Sequence, residues 1–350
     1  MKKNDISVFI KFTRHLSLAI CVMVGVMSMS GCASSTVISD DFFAMNTDVS
    51  VKCYGRNSKK AIAQLKEDIK KTETLISPFL DNSDIKNIND NAGIKPVHVD
   101  KKTYQLINQA VLLCGQSDGN FDITVGPISF LWKDFFESGT MPNSEEINTG
   151  LKLINYNDIL LNEQEQTVFL TKNGMKLDLG GIAKGYVCTD FAEILDENSI
   201  LSAMVSIGGN VYTYKQKPDG SRYTLGIRDP KKTANDYMGK LVTTDTVVAT
   251  SGAYERYKVV DDKVYHHIID IKTGYPANSD IVSVSVIAKD PGLADFLSTS
   301  IYLGGTNKMK EHLNQENYSV IIIDSSNNVY ISNALKDDFT ITNNEYKLSE

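Results

Sequence analysis

The chain contains stretches in which apolar side chains recur every second residue and others in which they recur every third or fourth residue. Residues 48–54 follow the first pattern, which predicts a strand with one buried face. Residues 59–76 follow the second, with lysine and glutamate opposite, which predicts an amphipathic helix. Further helices are predicted over residues 104–114, 182–195 and 293–303. Further strands are predicted over residues 166–171, 203–207, 223–228, 246–250, 265–271 and 281–288, with a closing hairpin over 319–323 and 329–331.

The order of these elements indicates the fold class. Strands and helices are mixed without the regular alternation that builds a doubly wound parallel sheet. We therefore expect an α+β fold in a single large mixed domain. The sequence also lacks the GxGxxG and GxxxxGKS/T motifs, so neither of those phosphate-binding loops is predicted.

The start of the chain has the layout of a secretory signal. Four basic side chains lie within residues 1–14, an uncharged apolar run covers residues 16–29, and Ser30 and Gly31 precede Cys32. The apolar run is shorter than the roughly 20 residues that a membrane-spanning helix needs. A cysteine after Ser-Gly resembles the bacterial lipobox, in which that cysteine becomes the lipidated first residue of the exported chain.

These features predict a lipoprotein signal peptide over residues 1–31, a tether over 32–41 and a folded domain over 42–350. Lipid on Cys32 would anchor the protein to the outer face of the cytoplasmic membrane, or hold it facing the periplasm. An ordinary cleaved signal and an uncleaved anchor are the alternatives. Met29 departs from the lipobox pattern, which prefers leucine at that position.

Charge and cysteine content narrow the function class. The net charge of −7 argues against nucleic acid as a partner, because such partners select basic surfaces. Beyond the predicted signal, Cys53, Cys114 and Cys188 are too widely spaced for a zinc motif or a disulfide framework. We expect three buried thiols, with one pair bonded outside the cell as the alternative.

Four segments combine glycine with polar side chains. Glycine lets the backbone approach a ligand closely, so such segments are candidates for holding an anion, and isolated tight turns are the alternative. Gly180 and Gly181 precede the predicted helix over 182–195, whose free N–H groups favour phosphate, and Lys184 adds a positive charge. The four segments cover residues 118–127, 177–186, 206–210 and 250–254.

Two further sets of side chains have chemical potential. Asp295 and Thr299 are four residues apart in a predicted helix, so their oxygens share one face. Hard oxygen ligands suit Mg²⁺, although a solvated helix face is the commoner reason for this spacing. His266 and His267 point to opposite sides of a predicted strand, so one of them can face a site and bind phosphate or transfer a proton. A buried structural histidine is the alternative.

Together these segments resemble the ApbE family, the FAD:protein FMN transferases. The resemblance covers nearly the whole chain after the predicted signal, and the order and spacing of its motifs make it specific. Asn46 departs from the family, many of whose members have glycine at that position. The matching segments are residues 45–47, 83–85 with Asn89, 119–132, 177–186, 207–212, 250–254, 266–276 and 294–299.

The resemblance implies an α+β fold of the ApbE, T-fold-like type and a site for FAD and Mg²⁺. Ala183, through its carbonyl, Asp295 and Thr299 would hold the metal, and Met45 would line the adenine pocket. The other implied contacts to the flavin nucleotide are Asn120, Phe121, Asp122, Gly180, Gly181, Lys184, His267, Ile268, Ile269 and Ser298.

The implied reaction moves FMN from FAD to a threonine or serine hydroxyl of an extracytoplasmic acceptor domain in a membrane electron-transfer protein, with release of AMP. Lys184 would hold the phosphates, and His267, or else Asp270, would accept the hydroxyl proton. The alternatives are a Mg²⁺-dependent FAD pyrophosphatase that gives FMN and AMP, and a non-enzymatic flavin-binding lipoprotein. A third alternative, that the chain is itself a flavinylated acceptor, finds no convincing acceptor signature in the sequence.

Overall fold

A nine-stranded sheet runs through the centre of the protein. The computed structural model describes residues 36–233 and 235–349, so the predicted signal peptide and Cys32 lie outside the described residues. The strands are β1 (Val37–Ala44), β2 (Thr47–Tyr54), β3 (Val97–His98), β4 (Ile159–Asn162), β5 (Thr167–Leu170), β6 (Ser202–Ile207), β7 (Asn210–Tyr214), β8 (Tyr223–Arg228), β9 (Tyr237–Thr243), β10 (Thr246–Gly252), β11 (Tyr257–Val260), β12 (Lys263–His266), β13 (Ile269–Asp270), β14 (Tyr275–Pro276), β15 (Ile281–Ala288), β16 (Tyr318–Asp324), β17 (Asn328–Ile331), β18 (Phe339–Ile341) and β19 (Lys347–Ser349).

Helices cover one face of this sheet and fill the long connections between its strands. They are α1 (Ser58–Ile76), α2 (Asp84–Asp90), α3 (Lys101–Gly115), α4 (Gly126–Ser138), α5 (Ser144–Leu151), α6 (Ala183–Tyr186), α7 (Phe191–Glu197), α8 (Pro291–Gly304) and α9 (Thr306–Met309). Short 3₁₀ turns cover Tyr156–Asp158, Lys310–His312 and Asn333–Leu335. Within the described residues, none of the helices is long and apolar enough to cross a bilayer.

The strand order in the large sheet is β1-β2-β6-β7-β10-β15-β16-β17-β19. Neighbours are antiparallel except β17 and β19, which are parallel. Smaller sheets are formed by β18-β9-β8, by β3-β5-β4 and by the two hairpins β11-β12 and β13-β14. The predicted α+β class, in a single large mixed domain, is therefore confirmed.

Alternation along the strands divides the core between the two faces of the sheet. In β16, Val320 and Ile322 pack in the main core beneath the helices, whereas Ile321 and Ile323 pack in a second core under the small sheet β18-β9-β8. Both faces of this strand are buried, which explains its unbroken apolar run. The three thiols predicted to be buried are free, and burial raises the pKa of Cys53 to about 12.

Three sequence predictions about elements are wrong. The helix predicted over residues 182–195 is two short helices, α6 and α7, because Thr189 turns its hydroxyl back to the Tyr186 carbonyl and the chain tightens there. The strand predicted over 265–271 ends at His266, whose Nδ1 accepts a hydrogen bond from the Ile268 N–H. Strand β1 starts at Val37, so residues 37–41 belong to the sheet rather than to a tether.

Candidate active site

A cavity of about 1260 Å³ opens beside one end of the large sheet. Drug-sized ligands occupy pockets of roughly 300–1,000 Å³, so this one has room for a dinucleotide. Its walls come from the β1–β2 turn, the end of α1, the segments around residues 120–136 and 178–184, and the hairpin β11-β12. The predicted site residues that line the cavity are Met45, Asn120, Phe121, Asp122, Gly180, Gly181, Ala183, Lys184, His267, Ile268, Ile269 and Thr299.

Asp295 lies beneath the cavity wall, where helix α8 crosses the short helix α6. Its side chain is buried, with the residue 2% exposed, and its Oδ2 accepts a hydrogen bond of 2.9 Å from the Gly185 N–H. The Lys184 ammonium lies 3.7 Å from the other carboxylate oxygen. The two helices meet at Gly185, where an added Cβ would lie 2.1 Å from the Pro291 carbonyl oxygen. A buried carboxylate is thus held between a backbone amide and one lysine.

Three hydroxyl groups form a cluster near Asp295, on helix α8 and at the end of β10. Ser298 donates to the Asp295 carbonyl over 2.8 Å, as helical serines often do. Ser251, at the end of β10, lies 2.7 Å from the Ser298 hydroxyl and 3.0 Å from the Thr299 hydroxyl. Ser298 is buried behind the wall, whereas Ser251 and Thr299 face the cavity. The sequence placed Ser251 in a candidate segment but gave it no role, because its partners lie 47 and 48 residues away.

The oxygen atoms at this point are suitable ligands for a hard cation. Thr299 and the carbonyl-bearing Ala183 line the cavity, and Asp295 lies just below on the same helix face as Thr299. The Ala183 carbonyl accepts the Val187 N–H at 3.1 Å, and a carbonyl oxygen has a second lone pair. Carbonyl, carboxylate and hydroxyl oxygens are the ligand types that Mg²⁺ prefers. Among the residues that the structure describes, no group of three or more His, Cys, Asp or Glu side chains is placed to hold a metal ion.

The glycine pair Gly180-Gly181 lines the cavity, but it does not begin the long helix that was predicted to favour phosphate. Helix α6 has four residues, too few for the strong N-terminal field that was expected to attract phosphate. The Gly180 N–H already donates to the Asp178 carboxylate over 2.9 Å. At Gly181 an added Cβ would lie 2.6 Å from the Phe121 ring, so glycine is required there by packing. The positive charge on this wall therefore comes from Lys184, whose Nζ lies 3.3 Å from the Gly180 carbonyl.

The segment Asn120–Asp122 forms the facing part of the wall. The Asn120 side-chain oxygen accepts from the Lys272 ammonium at 2.7 Å, and Phe121 packs edge-to-face on Phe296 with ring centroids 5.0 Å apart. The Asp122 carboxylate accepts three hydrogen bonds from nearby groups, which fixes the backbone of the segment. Burial raises the pKa of Asp122 in spite of these bonds. Asp122 thus lines the cavity and fixes the backbone beside Phe121.

The two adjacent histidines differ in environment, as the strand geometry predicts. His266 is buried and donates from Nε2 to the Ala277 carbonyl over 2.8 Å, so for this residue the structural alternative is correct. His267 lines the cavity, and its Nδ1 donates to the Arg256 carbonyl over 3.2 Å, which leaves Nε2 as an acceptor. Burial, reinforced by the positive charge of Arg256, lowers the pKa of His267 to about 3. His267 is therefore neutral at physiological pH.

Asp270, the second candidate for accepting a proton, does not reach the cavity. Its carboxylate accepts from the Lys272 N–H at 2.9 Å and from the Thr273 hydroxyl at 3.2 Å. These bonds shape the turn that leads from β13 to β14. Asp270 is absent from the cavity wall, so the structure does not support the predicted role.

Several residues at the site were not predicted to act there. Lys133, Arg256 and Lys258 also line the cavity, together with acidic side chains such as Glu73 and Glu137. Asn89 clamps the backbone of Leu177, accepting its N–H at 2.6 Å and donating to its carbonyl at 3.1 Å. This clamp fixes the start of the segment that leads to Gly180. A local sequence pattern carries no signal for a contact between residues 88 positions apart.

The sequence and fold were compared with known proteins. The sequence model described as "ApbE family" matches residues 45–322. A FAD:protein FMN transferase of Klebsiella pneumoniae is 30% identical over 317 residues, covering 90% of this chain and 98% of the relative. One from Treponema pallidum is 30% identical over 311 residues, covering 84% and 86%.

Solved structures of ApbE proteins have the same fold as this chain. The ApbE protein of Thermotoga maritima superposes with a TM-score of 0.80 at 33% identity, covering 87% of this chain and 99% of that one. The flavin transferase ApbE of Vibrio cholerae, at 24% identity, has the same fold, with a TM-score of 0.75 over 87% of this chain and 99% of its own. The fold, the matched residues and the cavity agree, and the chain belongs to the ApbE family.

Proposed function

We propose that this protein is a FAD:protein FMN transferase that moves FMN from FAD to a threonine or serine hydroxyl of an acceptor protein and releases AMP. The names of its relatives support the reaction class. The observation that carries the proposal is the cavity wall where Ala183, Asp295 and Thr299 supply oxygen donors beside Lys184, with neutral His267 on the same cavity.

The residues of this wall suit phosphoryl transfer, in which positioning and charge stabilisation do most of the work. Mg²⁺ held by Ala183, Asp295 and Thr299 would neutralise charge on the pyrophosphate. The Lys184 ammonium lies 3.7 Å from an Asp295 carboxylate oxygen, and Lys184 lines the cavity, where its charge would hold phosphate oxygens.

In the proposed reaction, the acceptor hydroxyl oxygen forms a bond to the phosphorus of the FMN half of FAD. The bond from that phosphorus to the bridging oxygen breaks, and AMP leaves with the bridging oxygen. The hydroxyl proton passes to Nε2 of His267, which is the free acceptor on that ring. A pKa of about 3 makes His267 a weak base, so its main contribution is to orient the hydroxyl.

The test is to incubate the purified protein with FAD, MgCl₂ and a candidate acceptor domain. Flavin fluorescence that stays on the acceptor band in a denaturing gel supports the transferase. Free FMN and AMP with an unlabelled acceptor indicate a pyrophosphatase, and FAD that is bound but unchanged indicates a flavin-binding protein. Asp295→Asn keeps the side-chain shape and an oxygen for the Gly185 N–H but removes the charge, so it is expected to abolish Mg²⁺-dependent labelling.

We also propose that the protein is exported and anchored by lipid on Cys32, which lies outside the described residues. The support is the basic, apolar and small-residue pattern that precedes Cys32 in the sequence. An anchor would confine enzyme and acceptor to one surface and raise their effective concentration. Cys32→Ala is expected to move the protein from the membrane fraction to the soluble fraction without loss of activity on a soluble acceptor.

A further inference from the structure

The turn that joins β1 to β2 is strained. Ala44 pairs with Thr47, so the turn has two central residues, Met45 and Asn46, and both have positive φ, 54° and 55°. Two positive φ values make this a type I′ turn, for which glycine and asparagine are favoured. Methionine pays a steric cost in that conformation. Both residues line the large cavity, where strained backbone often has a functional reason.

Groups outside the turn hold it in this shape. The Met45 N–H donates to Oε1 of Glu73 over 2.9 Å, across 28 residues of sequence. Glu73 lies in the last turn of α1 and is itself part of the cavity wall. On the other side, Thr47 packs against Gly208, where an added Cβ would lie 2.7 Å from the Thr47 hydroxyl. A charged acceptor on a backbone amide is among the stronger hydrogen bonds in proteins.

We propose that Glu73 is a positioning residue that holds the Met45–Asn46 turn in its left-handed shape and so forms the cavity wall for a planar ring of FAD. The identity of the ligand rests on the proposed function. Met45 supplies a polarizable apolar surface of the kind that packs on aromatic rings. Asn46 adds an amide able to donate and accept at the edge of a heterocycle. Released from Glu73, the turn would relax and move both side chains.

The first test compares Glu73→Ala with Glu73→Gln, whose amide oxygen can still accept the Met45 N–H. Glu67→Ala is the matched control, because Glu67 is an exposed residue of the same helix. We expect Glu73→Ala to raise the KM for FAD about tenfold with kcat changed less than about twofold, since this bond shapes binding rather than chemistry. Glu73→Gln should recover most of the affinity, and Glu67→Ala should behave as wild type. A KM for Glu73→Ala within twofold of wild type would overturn the inference.

A second test separates a strain effect from simple destabilisation of the fold. Glycine adopts positive φ without steric cost, so Asn46→Gly should make the turn less dependent on Glu73. In a double-mutant cycle, Glu73→Ala is then expected to raise the KM much less in the Asn46→Gly background than in wild type. Equal effects in both backgrounds would contradict the role assigned to strain.

Titration with FMN and AMP identifies which ring of FAD the turn contacts. Glu73→Ala should weaken the binding of one of these two probes about tenfold and leave the other unchanged, whereas no change in either would refute the proposed contact. Failure of this inference is distinguishable from failure of the proposed function. Wild-type protein that neither binds nor turns over FAD would refute the function, while active wild-type protein with an unaffected Glu73→Ala variant would refute only the role of Glu73.

Discussion

A larger side chain at Gly185 would directly disturb Asp295, the predicted metal ligand. A Cβ at this position would lie 2.1 Å from the Pro291 carbonyl oxygen and 2.6 Å from Cβ of Asp295. Non-bonded heavy atoms normally stay about 3.5–4.0 Å apart. Both the Pro291 carbonyl and the Gly185 backbone belong to packed helices, so neither can rotate away. Gly185→Ala must therefore push α6 and α8 apart by about 1 Å or more.

This displacement has two consequences of different size. Overpacking of this kind typically costs about 1–3 kcal/mol of stability, which a domain of this size survives. The Gly185 N–H also fixes the Asp295 carboxylate, at 2.9 Å, so the carboxylate shifts with the helices. A misplacement of about 1 Å can lower a catalysed rate roughly 100-fold. We therefore expect Gly185→Ala to lose about two orders of magnitude in the rate of acceptor labelling while it remains folded.

The assay is the time course of flavin fluorescence on the acceptor, with urea unfolding of the same protein as the measure of stability. Gly115→Ala is the control, because a Cβ at the exposed end of α3 would meet only the Tyr156 hydroxyl, at an ordinary 3.5 Å. This control should be as stable as wild type, or slightly more so, and fully active. If Gly185→Ala labelled the acceptor at the wild-type rate, the link from Gly185 through Asp295 to catalysis would be wrong.

Three further predictions follow from named contacts. Asn89→Ala should lower the free energy of unfolding by about 2–4 kcal/mol, because both backbone groups of buried Leu177 lose their partner; urea titration measures this loss. Gly181→Ala should press on the Phe121 ring, so it should raise the KM for FAD and lower the free energy of unfolding by about 1–3 kcal/mol. Because the pKa of His267 falls to about 3 on folding, the unfolded chain binds the proton first, so stability should fall as the pH drops from about 6.5 to 3. The free energy of unfolding of His267→Gln should depend less on pH in that window than that of the wild-type protein. The same pH dependence in both proteins would contradict the burial of His267.

The sequence predicted best where one local pattern decides the structure. Strand β2 and helix α1 each bury one face, so their periodicity identified them. The pattern failed over residues 182–195, where the apolar spacing continued but the chain tightens at Thr189. Hydrophobic spacing carries no information about a hydroxyl that competes for a helix carbonyl.

The same limit applies to the candidate site. Lys184, Asp295 and Thr299 were singled out by residue type and spacing and given roles by the family resemblance, and the structure brings them close together at the cavity. The contacts that hold the site were not found, because Glu73 reaches Met45 from 28 residues away. Such partners become neighbours only through the tertiary fold, so single-sequence reasoning identifies the chemistry of this site better than the residues that hold it in place.

The length of β1 sets the distance between the start of the sheet and the cavity. The strand begins at Val37 and ends at Ala44, next to the turn on the cavity wall. Eight residues at about 3.4 Å each place the two ends of the strand roughly 25 Å apart. If the chain is held at Cys32 as proposed, an acceptor hydroxyl would have to meet the cavity at about that distance from Val37.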